Sequence, residues 1–165
     1  TELAQDTSSE WDSWRHAINY IREEQGSYPE AIVSVPTTSP LRSISDIEKC
    51  IDVFQKEKPD AVITVTDAQR NPYFNMVKET KNGRSSLVCE PAENISNRQT
   101  APKVYDMTTV AYVVKSEFVI ENKRLFDGDV VHVHVPRERA IDIDHKIDFD
   151  LAELIMKRSQ LGKPS

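Results

Sequence analysis

Two aspartates near the carboxyl end of the chain are the residues best suited to chemistry. Asp142 and Asp144 lie two residues apart at the end of a predicted strand-like segment, just before a predicted helix. Side chains two residues apart in a strand share a face, so both carboxylates are predicted to point the same way, opposite Ile141 and Ile143. A hard cation such as Mg²⁺, which takes one or two carboxylates together with phosphate oxygens and water, suits such a pair. A solvated face of an edge strand explains the local pattern equally well.

The composition indicates one soluble domain spanning residues 1–165. Hydrophobic residues make up 38% and charged residues 29% of the chain, which is long enough to bury a core. The net charge of -6 argues against nucleic acid as a partner, and no apolar run reaches membrane-spanning length. Cys50 and Cys89 are too few for a disulfide framework and too far apart for a zinc site, which favours a reducing cytoplasm.

The first half of the chain predicts a helix followed by a βαβ unit. A capping box with Thr7 as N-cap and Glu10 reaching back predicts the start of the first helix, with Trp11 and Trp14 on its buried stripe. The apolar runs 31–35 and 61–66 predict two strands. Between them, Ser45 with Glu48 three residues later predicts the start of a crossover helix. Strands joined in this way are parallel and wind right-handed.

The second half predicts an arm and the return to the body of the domain. Asn82-Gly83 between two short apolar runs is a strong hairpin signal, and residues 71–103 are interpreted as an arm that projects from the body. Further strands are predicted at 104–115 and 130–135. A closing helix is predicted at about 149–159, with Asp148 or Asp150 as its N-cap.

Several segments, taken in order, resemble those of the acylneuraminate (CMP-sialic acid) cytidylyltransferase family. The resemblance covers nearly the whole chain, and its motifs are strong in combination. They are Asp6-Thr-Ser-Ser9, Val35-Pro-Thr-Thr-Ser-Pro-Leu-Arg42, Asn97-Arg-Gln-Thr-Ala-Pro-Lys-Val-Tyr105, Asp106-Met-Thr-Thr-Val-Ala-Tyr-Val113, Asp127-Gly-Asp129, and Ala140-Ile-Asp-Ile-Asp144 leading into Asp148.

The resemblance implies a fold and an activity. The fold is a three-layer, mostly parallel α/β nucleotidyltransferase of Rossmann-like type, with an inserted β-hairpin arm that makes a homodimer. The activity is transfer of CMP from CTP to a sialic-acid-like 2-keto-3-deoxy sugar acid, with release of pyrophosphate and with Mg²⁺ as cofactor. Such an enzyme serves cell-surface polysaccharide biosynthesis in the cytoplasm, and neither nucleic acid nor membrane is an expected partner.

The resemblance also implies roles for individual residues. Asp142 and Asp144 match the catalytic pair that holds Mg²⁺ against the nucleotide phosphates. Arg98 matches an arginine at the sugar site, where a guanidinium suits the geometry of the sugar's carboxylate. The other residues expected to bind substrate are Thr38, Ser39, Thr108, Tyr112 and Phe126, and Ser8 is expected to bind the nucleotide.

Departures from the family pattern limit what transfers to this chain. Thr108 stands where the family has an Asn, and the usual Gln before the Pro-Thr-Ser turn is missing. The resemblance therefore implies cytidylyl transfer more strongly than it implies a particular sugar acid. The family's amino-terminal CTP-binding signature is also missing. We therefore expect this chain to be the carboxyl-terminal part of a longer polypeptide and to be inactive alone.

Two other functions remain open, and three residues have simpler explanations. Asp142-Ile-Asp144 also fits a metal-dependent nucleotide-sugar glycosyltransferase, and a non-catalytic dimerising domain of the same fold fits the missing signature. His132 and His134 share a strand face but have no third ligand in view, so a solvated or packed face is favoured over metal binding. Arg42 is interpreted as a structural cap rather than a phosphate ligand.

Overall fold

A computed structural model of the chain describes residues 9–90 and 100–161. Short 3₁₀ turns cover Leu125–Asp127 and Arg137–Arg139. The helices and strands, in chain order, are α1 (Glu10–Gln25), β1 (Ala31–Ser34), α2 (Ile44–Glu57), β2 (Ala61–Asp67), β3 (Val77–Glu79), β4 (Ser85–Leu87), β5 (Tyr105–Lys115), α3 (Ser116–Glu121), β6 (Val130–His134) and α4 (Lys146–Leu161).

The chain divides into two compact units. The first runs to Val65 and resumes at Met107, and the second is Thr66–Asp106. The residues predicted to form an arm, 71–103, fall inside the second unit. Within the described parts of the chain, no helix combines the length and the apolar character that crossing a membrane requires.

The first unit is built on a mixed sheet with strand order β1-β5-β2-β6. β1 pairs antiparallel with β5, with Ser34 opposite Tyr112, whereas β2 and β6 are parallel. The predicted α/β class is therefore confirmed, and the sheet is mixed because β5 runs antiparallel to β1. The predicted βαβ segments exist, yet β1 and β2 are not neighbours because β5, from much later in the chain, lies between them.

Helices cover both faces of this sheet and give three layers. α2 covers one face through a core of buried apolar residues that includes Cys50, Phe54 and Val113. α1 covers the other face, where the Trp14 ring lies 5.5 Å from the Tyr112 ring and the Trp11 ring 5.6 Å from that of Phe118. The expectation that both tryptophans belong to the core is confirmed, since each is only 8% exposed. Burial of aromatic area of this size is a large part of what holds a helix on a sheet.

The first helix begins later than its predicted capping box. Its N-cap is Ser9, whose Oγ accepts a hydrogen bond from the Asp12 backbone N–H at 3.1 Å. Thr7 lies outside the described residues. Glu10 is the first residue of the helix rather than the closing member of a box, so its carboxylate is available for other contacts.

The second helix begins earlier than predicted. Ser43 is its N-cap, and Asp46 closes a capping box by accepting the Ser43 backbone N–H at 3.0 Å. The prediction based on Ser45 and Glu48 was wrong because Asp46, three residues after Ser43, performs the same task with a shorter side chain.

The closing helix α4 also begins earlier than predicted. It starts at Lys146, so Asp148 is its third residue and not its N-cap. The Asp148 carboxylate accepts the backbone N–H of His145 at 2.8 Å and that of Asp144 at 3.3 Å. Asp148 thus satisfies N–H groups at the helix start and fixes the backbone of Asp144.

The second unit contains a two-stranded hairpin. β3 and β4 pair antiparallel, with Val77 opposite Leu87. The turn passes through Asn82-Gly83, and Gly83 has a φ of 70°, a conformation that glycine adopts without steric cost. Thr80 closes the turn, since its backbone N–H donates to the Arg84 carbonyl at 2.7 Å.

Candidate active site

The segment that carries Asp142 and Asp144 is an irregular loop, not the predicted strand. It follows β6 and the turn Arg137–Arg139 and leads directly into α4. Asp142 and Asp144 are therefore not held on one face in the way that alternate residues of a strand are. Asp142 is half-buried, and Asp144 is exposed. One backbone hydrogen bond, from Ile143 N–H to the Thr38 carbonyl at 2.9 Å, places this loop beside the turn that follows β1.

One oxygen of Asp142 is buried without a partner. Its Oδ1 has no hydrogen bond from any residue in 9–90 or 100–161. Burying a carboxylate oxygen away from water without a hydrogen-bond donor destabilises the folded state by on the order of 1–3 kcal/mol or more. Such groups are rare in native proteins, and a catalytic role, an ordered water or a bound ion accounts for many of them.

Arg42 holds the turn next to Asp142. Its Nε donates to the Ser39 carbonyl at 2.9 Å, and its NH2 donates to the Pro36 carbonyl. Burial lowers the pKa of the Arg42 guanidinium, and the charge of Asp142 acts in the opposite direction. These contacts agree with the interpretation of Arg42 as a structural cap, and they bring a positive charge into the electrostatic surroundings of Asp142.

The threonine and serine residues predicted to bind substrate have different surroundings. Thr38 is exposed, and its carbonyl accepts the bond from Ile143. Ser39 is 1% exposed, and its hydroxyl lies 2.7 Å from that of Thr109, a residue that the sequence analysis did not select. Thr108 is buried, and its hydroxyl donates to that of Thr64 at 2.8 Å inside the sheet.

Tyr112 combines a core position with a polar environment. It is 4% exposed, and its ring packs on Trp14. Burial raises the pKa of the Tyr112 phenol to about 12, and the negative charges of Glu10 and Asp142 add to that effect. The Tyr112 hydroxyl is therefore within electrostatic range of two carboxylates that are 132 positions apart (142 − 10) in the sequence.

An ion pair anchors the segment that leads to Asp142. Arg139 donates to Asp46 through Nε and NH2, each at 2.9 Å, and Asp46 is 1% exposed. Burial alone would raise the pKa of the Asp46 carboxyl, but hydrogen bonds from Arg139 and Ser43 outweigh it and lower that pKa to about 2. This pair was not predicted from the sequence, although Ser43-x-x-Asp46 is a capping pattern that could have indicated Asp46.

One predicted residue lies away from this site, and two others are not among the described residues. Phe126 is 68% exposed and precedes the amino end of β6, whereas Asp142 follows the carboxyl end of the same strand. Arg98 and Ser8 lie outside the described residues, so their roles stay predictions.

The donor set suits Mg²⁺ better than a transition metal. Among the residues that the structure describes, no group of three or more histidine, cysteine or acidic side chains could enclose a metal ion. Asp142 offers an unpaired carboxylate oxygen, and Asp144 offers an exposed carboxylate two residues later. Mg²⁺ is commonly held by one or two carboxylates and completes its shell with water and phosphate oxygens, so these residues fit it.

The second unit has a cavity of its own. Its volume is about 420 Å³, and its lining includes the charged residues Asp67, Arg70 and Lys103. The Lys103 ammonium lies 4.8 Å from the centre of the Tyr105 ring, a cation–π geometry.

Several curated proteins are similar to this chain over nearly all of its length. It is 31% identical over 160 residues to CMP-N,N'-diacetyllegionaminic acid synthase of Campylobacter jejuni, covering 97% of this chain and 67% of that protein. It is 31% identical to post-translational flagellin modification protein B of Campylobacter coli, covering 96% of this chain and 66% of that protein. Identity to N-acylneuraminate cytidylyltransferase of Escherichia coli is 21%, covering 98% of this chain and 37% of that protein.

Solved structures support the fold. The crystal structure of 4-diphosphocytidyl-2C-methyl-D-erythritol synthase from Anaerococcus prevotii superposes with a TM-score of 0.62 at 16% identity, covering 92% of this chain and 68% of that one. No protein-family model matches the chain. The chain spans about two thirds of the length of the two most similar curated relatives named above.

Proposed function

The chain belongs to the CMP-sialic acid cytidylyltransferase family, and on that basis we propose that it takes part in transferring CMP from CTP to a nonulosonic acid. The acceptor is a sialic-acid-like 2-keto-3-deoxy sugar acid, and pyrophosphate is released. The names of two similar proteins, a CMP-diacetyllegionaminic acid synthase and an N-acylneuraminate cytidylyltransferase, support this reaction class.

The observation that carries the proposal is the buried, unpaired Oδ1 of Asp142. It lies in a loop held against the turn after β1 by the Ile143–Thr38 hydrogen bond. Ligand sites of α/β proteins gather at the carboxyl ends of strands, and this loop follows the carboxyl end of β6. Because this oxygen is already removed from water in the folded protein, it can bind a cation without a further desolvation cost during the reaction.

We propose that Asp142 and Asp144 hold Mg²⁺ together with the phosphates of CTP. Bound there, Mg²⁺ would neutralise the charge that develops on the α-phosphate and on the departing pyrophosphate. Asp142 supplies the preorganised oxygen. Asp144 supplies an exposed carboxylate oxygen, and the Asp148 carboxylate fixes the backbone of Asp144 by accepting its N–H.

The neighbouring residues shape the turn that faces this pair. Arg42 fixes the carbonyls of Pro36 and Ser39, which leaves exposed Thr38 at the tip of the turn as the residue best placed to meet substrate. The Ser39–Thr109 hydrogen bond attaches the turn to β5. Thr108 and Phe126 have no part in this proposal, because Thr108 is paired with Thr64 and Phe126 precedes the opposite end of β6.

We further propose that the protein acts as a homodimer in the cytoplasm. The second unit exposes Phe74, Met76 and Val77, by 37%, 41% and 65%, which is apolar area that a partner copy would cover. Both cysteines are free, as in a reducing compartment.

The test is an assay of pyrophosphate release with CTP, Mg²⁺ and a panel of sugar acids, on protein made from the complete reading frame. We expect turnover that requires CTP, a sugar acid and Mg²⁺ together. In the same preparation, Arg98→Ala should raise the KM for the sugar acid and leave the KM for CTP nearly unchanged. Turnover of a nucleoside-diphosphate sugar in place of CTP would instead identify a glycosyltransferase, and no turnover with either would favour a non-catalytic domain.

A further inference from the structure

A carboxylate and a hydroxyl form a polar pair beside Tyr112. The Ser34 hydroxyl donates to Glu10 Oε1 at 3.2 Å. Ser34 is the last residue of β1, and it lies opposite Tyr112 in the β1–β5 register. Residues directly opposite each other in antiparallel strands point to the same face of the sheet. Glu10 therefore reaches the face of the sheet that carries Tyr112.

The geometry of α1 fixes where Glu10 lies. Glu10 and Trp14 are four residues apart in the helix, so their side chains lie on the same side of α1. Trp14 packs on the Tyr112 ring at 5.5 Å, which places Glu10 one turn closer to the amino end of α1, over Ser34. The start of the helix is already capped by Ser9 with Asp12, so capping does not require the Glu10 carboxylate.

The charges around Tyr112 are unusual for a core position. Partial withdrawal from water raises the pKa of the Glu10 carboxyl, and its hydrogen bond from Ser34 acts in the opposite direction. The charges of both Glu10 and Asp142 act on the Tyr112 phenol and add to the effect of its burial. Part of the Glu10 side chain still faces solvent, so a ligand can reach it.

We propose that Glu10, held in place by Ser34, binds the acceptor and helps determine which sugar acid the protein accepts. Its carboxylate accepts a hydrogen bond from a hydroxyl or an acylamino N–H of the bound sugar. The inference rests on the proposed function. Since Glu10 repels the carboxylate of the sugar acid, that carboxylate faces away from Glu10 and a neutral donor faces toward it. A site built to accept a hydrogen bond discriminates strongly against analogues that lack the donor.

The first experiment separates the two substrates kinetically, in protein made from the complete reading frame. N-acetylneuraminic acid is the probe, and Glu24→Ala on the last turns of the same helix is the matched control. Glu10→Ala should raise the KM for the sugar acid about tenfold, as for loss of a hydrogen bond to a charged group, with the KM for CTP unchanged. Ser34→Ala should produce a smaller change in the same direction.

The outcomes separate this inference from the proposed function. Unchanged sugar KM in Glu10→Ala, or an equal rise in both KM values, would overturn the role of Glu10 and leave cytidylyl transfer standing. Absence of transfer by the unmodified protein with every sugar acid would overturn the proposed function itself, and with it the acceptor role of Glu10.

A second measurement tests the placement of Glu10 without any activity. In the 165-residue chain labelled with ¹³C-tyrosine, the NMR titration of Tyr112 is assigned with Tyr112→Phe. Glu10→Ala should lower the pKa of Tyr112 measurably, and Glu24→Ala should not. A Tyr112 pKa that is identical in Glu10→Ala and in the unmodified chain would overturn the geometry on which the inference stands.

Discussion

Arg139 and Asp46 form a bidentate ion pair that joins the segment before Asp142 to the first turn of α2. Both N–O distances are 2.9 Å, and Asp46 is 1% exposed. The same Asp46 oxygen that accepts from Arg139 Nε also accepts from the Ser43 backbone N–H at 3.0 Å and the Ser43 hydroxyl at 2.9 Å. A single buried carboxylate therefore fixes the start of a helix and the approach to the candidate active site.

Removing the arginine should destabilise the fold. Arg139→Gln leaves the Asp46 charge buried with only the Ser43 donors, and breaking a buried pair in this way costs about 3 kcal/mol of the free energy of unfolding. Urea denaturation of the 165-residue chain measures this loss in the free energy of unfolding. Arg137→Gln, on an exposed neighbour in the same turn, should change the free energy by less than about 0.5 kcal/mol. Equal effects of the two substitutions would show that the pair contributes nothing specific.

The same carboxylate should make stability sensitive to acid. The pKa of Asp46 is lowered from 3.8 to about 2 in the folded protein. A carboxyl whose folded pKa is depressed contributes stability above its unfolded pKa, and that contribution disappears as the pH falls through the folded pKa. We expect the folded state to lose about 2 kcal/mol from this group between pH 4 and pH 2. Asp46→Asn should be less stable at neutral pH and should lack this part of the acid dependence when unfolding is followed from pH 5 to pH 2.

Neutralising Asp142 should separate activity from stability. In protein made from the complete reading frame, Asp142→Asn should abolish Mg²⁺-dependent pyrophosphate release, because the proposed metal oxygen loses its charge. The thermal midpoint should stay the same or rise, since an unpaired buried charge is replaced by a neutral group. Asp150→Asn is the control, because Asp150 is exposed and paired with Lys146 at 2.9 Å. Full activity of Asp142→Asn across a Mg²⁺ titration would exclude the metal role.

Among the described strands β1 lies at the edge of its sheet, and this edge should promote association of the chain. β1 is the first strand in the order β1-β5-β2-β6, and Val33 and Val35 beside that edge are 42% and 41% exposed. Unpaired backbone groups on an apolar edge strand attract a further strand. The 165-residue chain should therefore oligomerise with increasing concentration, and Val33→Lys should reduce this. Static light scattering is the measurement, and a monodisperse monomer at all concentrations would contradict the prediction.

Local patterns predicted most of the helices and strands, and their failures have physical causes. The starts of all three long helices were misplaced by two or three residues. Ser, Thr and Asp recur at these positions, and several combinations satisfy the same capping geometry. The strand predicted at Asp142 was wrong because Ile143 uses its backbone N–H on Thr38 instead of in a sheet ladder, a partner more than a hundred residues away in the chain.

The sequence by itself determined the α/β class, the family, and the two aspartates on which the proposed chemistry depends, because motifs and hydrophobic periodicity are local properties of the chain. Only the tertiary structure decided that β5 enters between β1 and β2, that Asp142 keeps one unpaired buried oxygen, and that Arg139 reaches Asp46. It also brought Glu10 and Ser34 to Tyr112, a grouping that no motif contains. Burial and pairing depend on which distant residues share a face of the sheet, and that is decided by the packing of the whole chain rather than by local spacing.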